Sequence, residues 1–205
     1  MRIGGFGGTA GLAEFLRLGE ISACVDATHP YATTMSAHAV RACEVAAVPL
    51  ARFVRPGWSH REQSPSWHWV DSYEQAMAAA TTLGRRPFIT TGRQTLVNFS
   101  GWTDRQVLVR VVEPLVVDVP KSWTVICDRG PYSHSGEIDV MSEHSIDVLL
   151  TKDSGGSFTA AKLEAAATLG VPIIVVARPL MDAFDNEFEN VSETVAWLSG
   201  LHSAK

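Results

Sequence analysis

Five polar segments of this chain combine residue types that bind anions or move protons. The first is Gly4-Gly5-Phe6-Gly7-Gly8-Thr9-Ala10-Gly11. Gly5, Gly7 and Ala10 fit the GxGxx[G/A] spacing, in which small residues let a backbone approach a pyrophosphate at a helix N-terminus. The competing reading is a glycine-rich turn into a helix from Leu12. The second segment is Asp26-Ala27-Thr28-His29-Pro30-Tyr31-Ala32. Here a carboxylate, a hydroxyl and an imidazole precede a proline suited to a first helical turn. Thr28 or His29 alone would serve as an N-cap, but three polar side chains in a row exceed what a cap requires.

The third segment, Thr90-Thr91-Gly92-Arg93, offers hydroxyls, a turn and a neighbouring cation. It suits a phosphate or carboxylate, or is a plain turn beside a solvated arginine. In the fourth, Thr151-Lys152-Asp153-Ser154-Gly155-Gly156-Ser157, the lysine precedes the glycines, so the GxxxxGK order of a Walker A loop is absent. It can still form an anion-binding nest with a point charge beside it. The fifth is Arg178-Pro179; Arg52 and Arg55 hold a similar place earlier in the chain. One such arginine is commonly solvated, whereas several at one edge make a cationic cleft that focuses an anionic ligand. The seven histidines show neither HxxxH nor HExxH spacing, so no metal site is expected. No GxSxG elbow or Cys/His pair supports covalent catalysis.

What must position these segments is an alternation of β-like runs and Ala-rich helical stretches. Strands are expected at 22–26, 49–54, 67–70, 87–90, 106–112, 123–126, 148–151 and 172–177. Helices are expected at 32–47, 72–83, 133–143, 159–169 and 192–198. Alternation of this kind implies parallel strands with right-handed crossovers. Runs such as Ile173-Ile174-Val175-Val176 fit a sheet covered on both faces. The fold class is therefore α/β, with two Rossmann-like parallel-sheet lobes and an active site in the cleft between them. The expected domains are 1–114, for nucleotide and substrate, and 115–205. In such sheets ligands bind beyond the carboxyl ends of the strands, where all five polar segments fall.

Composition bounds the rest. Of the 205 residues, 46% are hydrophobic and 19% charged, which is globular rather than disordered. No apolar run approaches the ~20 residues of a bilayer span. The start Met1-Arg2-Ile3-Gly4-Gly5 does not read as a secretory signal. Cys24, Cys43 and Cys127 are odd in number and lack CxxC spacing, which suits free thiols in a reducing, cytoplasmic setting. A net charge of −5 without a basic stripe argues against nucleic acid. The oligomeric state is not readable.

Several of these segments together resemble the precorrin-6A reductase family of cobalamin (vitamin B12) biosynthesis. The resemblance rests on Ile3-Gly-Gly-Phe-Gly-Gly8, Asp26-Ala-Thr-His-Pro-Tyr-Ala32, Arg55-Pro56 with Trp58, Thr90-Thr-Gly92, Gly130-Pro-Tyr132, Lys152-Asp-Ser-Gly-Gly156, Lys162 and Arg178-Pro179. It runs in order from residue 2 to about residue 180. Members of the family usually carry a further unit, with a Gly-Gly-Thr loop, before the glycine segment; by that pattern an N-terminal βα unit is missing here.

The resemblance implies NADPH-dependent reduction of the precorrin-6A macrocycle to precorrin-6B, with a polycarboxylate tetrapyrrole as substrate. It further implies roles. Gly4, Gly5, Gly7 and Gly8, with Thr90, Thr91, Gly92 and Arg93, would hold the NADPH phosphates. Arg55, Tyr31, Lys152, Ser154, Gly155, Gly156 and Arg178 would hold the substrate. Asp26, Thr28 and His29 would sit at the reacting carbon, the proton coming from water or from His29. Two other readings stay open: an S-adenosylmethionine-dependent tetrapyrrole methyltransferase, and a non-catalytic module that binds tetrapyrroles or nucleotides.

Overall fold

The structure, a computed structural model, describes residues 4–203. Ile3 of the glycine segment, and the Met1-Arg2-Ile3 start, lie outside the described residues. In chain order the elements are α1 Gly8–Leu18, β1 Cys24–Asp26, α2 Thr33–Ala46, β2 Leu50–Phe53, β3 His68–Val70, α3 Tyr73–Leu83, β4 Pro87–Ile89, β5 Val107–Val111, β6 Trp123–Cys127, α4 His134–Glu143, β7 Val148–Lys152, α5 Ala161–Leu169, β8 Ile173–Val176, β9 Glu187–Phe188 and α6 Val191–Ser203. Every strand pairing among the described residues is parallel, as the βα alternation requires. Among the described residues no helix is long and apolar enough to cross a membrane.

The chain forms two compact units. One is built from Met1–Pro56 with Pro179–Lys205, the other from Gly57–Arg178. The expected division at 114/115 falls between β5 and β6. Those strands pair from Val107 with Trp123 through Val111 with Cys127, inside one sheet. The fresh start of the βα pattern after Pro114 therefore continues a sheet already begun.

The first unit carries the sheet β1-β2-β9. Its helices α1 and α2 bury Leu12, Ala13, Leu16, Ala39, Ala42 and Cys43 together, with Phe6 and Leu50 packed against them. Small alanines on the facing sides allow close helix approach. Pro30, expected as a first helical residue, lies in the turn before α2, where the Ala32 N–H donates to the His29 carbonyl at 2.7 Å. The two-residue strand β9 is too short to show a period in sequence.

The second unit carries the sheet β3-β8-β7-β4-β5-β6. Its central strands β4, β5, β7 and β8 are buried almost throughout, which accounts for their unbroken apolar runs. Phe88, Leu149 and Val175 are wholly buried in the core against Leu163 and Met141. Each large side chain of this kind contributes about 1.5–3 kcal/mol. Ser72 caps α3 by accepting the Gln75 N–H at 3.2 Å, and Ser133 caps α4 by accepting that of Gly136 at 3.1 Å.

Strand order in this second sheet contains one reversal. β4 and β7 are neighbours, yet β4 leads on to β5 on one side and β7 to β8 on the other. Adjacent strands whose connections leave in opposite directions open a crevice at their carboxyl ends.

Candidate active site

In the first unit the glycine segment becomes the loop into α1. Gly4, Gly7 and Gly8 have φ of 98°, 84° and 76°, a region that strains a residue with a Cβ. A Cβ built on Gly4, Gly5 or Gly7 would meet no atom of the described residues within 4 Å, so among them space lies open over the loop backbone. Gly11 serves packing instead: its Cβ would collide with the Phe6 carbonyl. Among the described residues no side chain caps α1 at Gly7. Its first N–H groups and the helix dipole thus suit an external anion.

The Asp26 segment follows β1. Asp26 is buried, and its Oδ1 accepts the Thr28 N–H at 2.9 Å. Its Oδ2, also buried, has no hydrogen-bond partner among the described residues. A buried carboxylate oxygen left so costs free energy until a donor reaches it. Thr28 Oγ1 lies 3.4 Å from Ser36 Oγ on α2. His29 Nδ1 accepts the Tyr31 N–H at 3.3 Å, and the two rings lie 5.5 Å apart. That bond assigns the proton of the neutral imidazole to Nε2. His38 of α2 reaches the glycine loop, its Cε1 lying 4.0 Å from the position of a Gly8 Cβ. Arg55, half-buried, follows β2. Arg52 lies within β2 instead, buried, donating to Met181 Sδ at 3.0 Å and lying over the Phe184 ring, so it packs within its unit.

In the second unit the crevice strands β4 and β7 bring two predicted segments together. Lys152 ends β7, and its Nζ lies 3.9 Å from where a Cβ of Gly92 would stand. Gly92 follows β4 with φ of 95°. Burial holds the Lys152 ammonium below the usual lysine range. Beyond it the Ser154 N–H turns back on the Lys152 carbonyl at 2.6 Å, and Ser154 Oγ lies 3.2 Å from Thr159 Oγ1. Gly155 and Gly156 follow with φ of 66° and 71°. Arg178, just past β8, places Nε 3.2 Å from Asp153 Oδ2 and donates it to the Asp153 carbonyl at 3.1 Å. Its Nη2 is buried and has no hydrogen-bond partner among the described residues. The Thr90 hydroxyl donates to the Leu150 carbonyl at 3.1 Å. The wholly buried Thr91 shares its hydroxyl with Thr95 at 2.7 Å. These two side chains brace the loop. Arg93 forms an exposed pair with Glu113 at 2.9 Å.

The family described as precorrin-6x reductase CbiJ/CobK matches residues 1–199. This chain belongs to the precorrin-6x reductase family. A precorrin-6A reductase of Rhodococcus erythropolis is 40% identical over 203 residues, which is 98% of this chain and 81% of that one. One of Mycobacterium tuberculosis is 39% identical over 204 residues, 99% of this chain and 82% of the relative. A solved structure named CobK precorrin-6A reductase superposes with a TM-score of 0.89 at 34% identity, over 98% of this chain and 79% of that one.

For a member of the precorrin-6x reductase family, the residues that sequence reasoning left without a role are informative. Trp58 donates its backbone N–H to Asp153 Oδ1 at 2.9 Å and its indole N–H to the Gly156 carbonyl at 3.0 Å. It fixes both ends of the Lys152 loop. Beneath that loop lie buried charges. Arg110 of β5 meets Glu137 of α4 at 2.8 Å, a charge contact whose alignment is not that of a hydrogen bond. The Arg110 guanidinium also lies 3.7 Å over the Tyr132 ring. Lys162 of α5 donates to the Thr159 carbonyl at 3.0 Å, its Nζ 5.0 Å from the centre of the Trp58 ring. Burial, with Arg110 and Lys152 adding to it against Glu137, pulls Lys162 down to about 7. An arginine within an apolar strand and a glutamate within a helix give no sequence signal beyond their misfit with the local pattern.

Proposed function

We propose that this chain reduces precorrin-6A to precorrin-6B in cobalamin biosynthesis, in the cytoplasm and with NADPH as reductant. The observation that carries this reading is the cationic crevice of Gly92, Lys152 and Arg178, in a chain that matches the reductase family over nearly its whole length. A tetrapyrrole bearing several carboxylates needs such cations, and the buried Arg178 Nη2 lacks the acceptor that a carboxylate would supply. Free thiols at Cys24, Cys43 and Cys127 suit a reducing compartment.

The residues of the first unit fit a dinucleotide. The open backbone of Gly4, Gly5, Gly7 and Gly8, at an uncapped helix start, would hold its diphosphate. Asp26 Oδ2 would accept a hydroxyl or amide N–H of the same ligand. A reduced nicotinamide, when bound, supplies hydride. Thr28 and Tyr31 belong to the same segment, and His29, whose Nδ1 accepts the Tyr31 N–H, would turn Nε2 to the ligand. In the second unit Lys152, Ser154 and the Gly155-Gly156 backbone, with Arg178, would orient the macrocycle through its carboxylates; in the first unit the half-buried Arg55 would offer a cation to an anionic ligand. In the second unit Arg93, beside Gly92, would add charge for a phosphate, the half-buried Thr90 and the buried Thr91 hydroxyls keeping that turn in shape.

The test is turnover of precorrin-6A by the purified chain, followed by loss of the reduced-nicotinamide absorbance, with NADPH and with NADH. Turnover preferring NADPH is expected. Failure with both cofactors would overturn the proposal. His29→Ala separates the proton sources: a fall in turnover places the proton on His29, and an unchanged rate assigns it to water.

A further inference from the structure

The edge of the second sheet opposite the crevice carries a second cationic pocket. Arg85 and Arg86 immediately precede β4, and Asp104, Arg105 and Gln106 immediately precede β5. With Thr81 of α3 they line a cavity of about 410 Å³, within the size range of small-molecule sites. The length of β5, at about 3.3 Å per residue, separates this pocket from the carboxyl ends of the strands. None of its residues takes part in the crevice of Lys152 and Arg178.

Three features mark it as built for an anion. First, Arg105 has Nε and Nη1 buried without a hydrogen-bond partner among the described residues. Leaving charged donors so is costly unless an acceptor meets them. Second, the guanidinium is held in place, its carbon 4.6 Å from the centre of the Trp102 ring. Stacking covers one face of the fork and leaves its edge for an oxyanion. Trp102 is itself buried, and its carbonyl accepts the Trp123 indole N–H at 2.8 Å. Third, the Arg85-Arg86 backbone is fixed: both N–H groups donate to Asp147 Oδ1, at 2.9 and 2.7 Å. Gly84 has no room for a side chain there, since a Cβ would collide with that same oxygen.

The charges select the ligand. No ion pair joins Asp104 to these arginines among the described residues. Three guanidinium charges against one lining carboxylate leave an excess of two. That matches a dianionic phosphate group better than a single carboxylate.

We propose that this pocket binds a phosphate-bearing small ligand through Arg85, Arg86 and Arg105, at a site separate from the reductase centre. The probe is inorganic phosphate, titrated at constant ionic strength against chloride. Binding is read from the backbone amide resonances of residues 85, 86, 105 and 106. Saturable shifts are expected. They should weaken about tenfold in the Arg85→Gln/Arg86→Gln double variant, the loss of roughly one charge-assisted hydrogen bond. Both of those side chains are exposed, so the variant keeps the fold. Arg105→Gln should weaken binding further, whereas Lys152→Gln at the opposite edge should leave it unchanged. Shifts that never saturate, saturation that survives the double variant, or loss of binding in Lys152→Gln would each overturn the proposal.

Discussion

The backbone N–H of Trp58 donates to Asp153 Oδ1 at 2.9 Å, across a sequence separation of 95 residues. The same carboxylate turns Oδ2 toward Arg178 Nε at 3.2 Å. Asp153 therefore ties three chain segments of the second unit at the carboxyl end of β7. It positions Arg178 and does not itself face the crevice.

Asp153→Asn should loosen that tie. The amide can still accept from Trp58, but Arg178 loses its counter-charge. With Asp153 buried, a stability loss of about 1–3 kcal/mol is expected in urea unfolding. The KM for the tetrapyrrole should rise more than kcat falls, because Arg178 is displaced rather than removed. Unchanged stability and KM would refute the positioning role.

Gly57 is the companion of that carboxylate. A Cβ there would stand 2.7 Å from Asp153 Oδ2 and 3.5 Å from the Arg178 guanidinium carbon. Gly57→Ala should cost about 1–3 kcal/mol through this overlap. The cost should shrink in an Asp153→Ser background, where the colliding oxygen is gone. Additive losses in that double-mutant cycle would mean that the two residues do not meet.

The parallel α/β fold was legible because its central strands are short and apolar and its helices alternate with them. Other features were not. The division of the chain was misplaced because the βα pattern restarts after Pro114, and sequence periodicity carries no record of which sheet a strand joins. Only the ladder between β5 and β6 settles that. The strand-end loops were legible as polar runs, but the burial of Thr91 was not, since a hydroxyl bonded to Thr95 reads in sequence like one facing a ligand. Trp58 and Asp153 stayed without a role because their contact joins segments far apart in the chain. Arg110, Glu137 and Lys162 become a cluster only when β5, α4 and α5 pack together.

Gly5 and Gly7 separate binding from folding. Gly7 has φ of 84°, so any side chain there strains the backbone. Gly5 has no such constraint, and a Cβ on it meets nothing among the described residues within 4 Å. Gly5→Val should therefore keep the thermal stability of the parent within about 0.5 kcal/mol, while filling the space over the loop and weakening NADPH binding at least about tenfold. Gly7→Val should lose both. Fluorescence titration with NADPH beside thermal unfolding checks the pair, and tight NADPH binding by Gly5→Val would remove the loop from the cofactor site.

Lys162 gives the chain a pH dependence of stability with a defined sign. Its folded-state value, near 7, lies below the ordinary 10.5 of an exposed lysine. Between those values the unfolded chain carries the proton and the folded chain does not. The unfolded state then binds more protons, so this residue makes stability rise as pH rises from about 7 to 10.5 and leaves it level below 7. The slope from one such group approaches about 1.4 kcal/mol per pH unit. Urea unfolding at several pH values across this alkaline window should show the rise, and Lys162→Met should lack that share of it. The variant also leaves the Thr159 carbonyl without its donor, which lowers stability at every pH alike and so does not alter the slope. Equal slopes in the parent and Lys162→Met would mean that the buried ammonium keeps its proton, held by Glu137 across the cluster more strongly than burial opposes it.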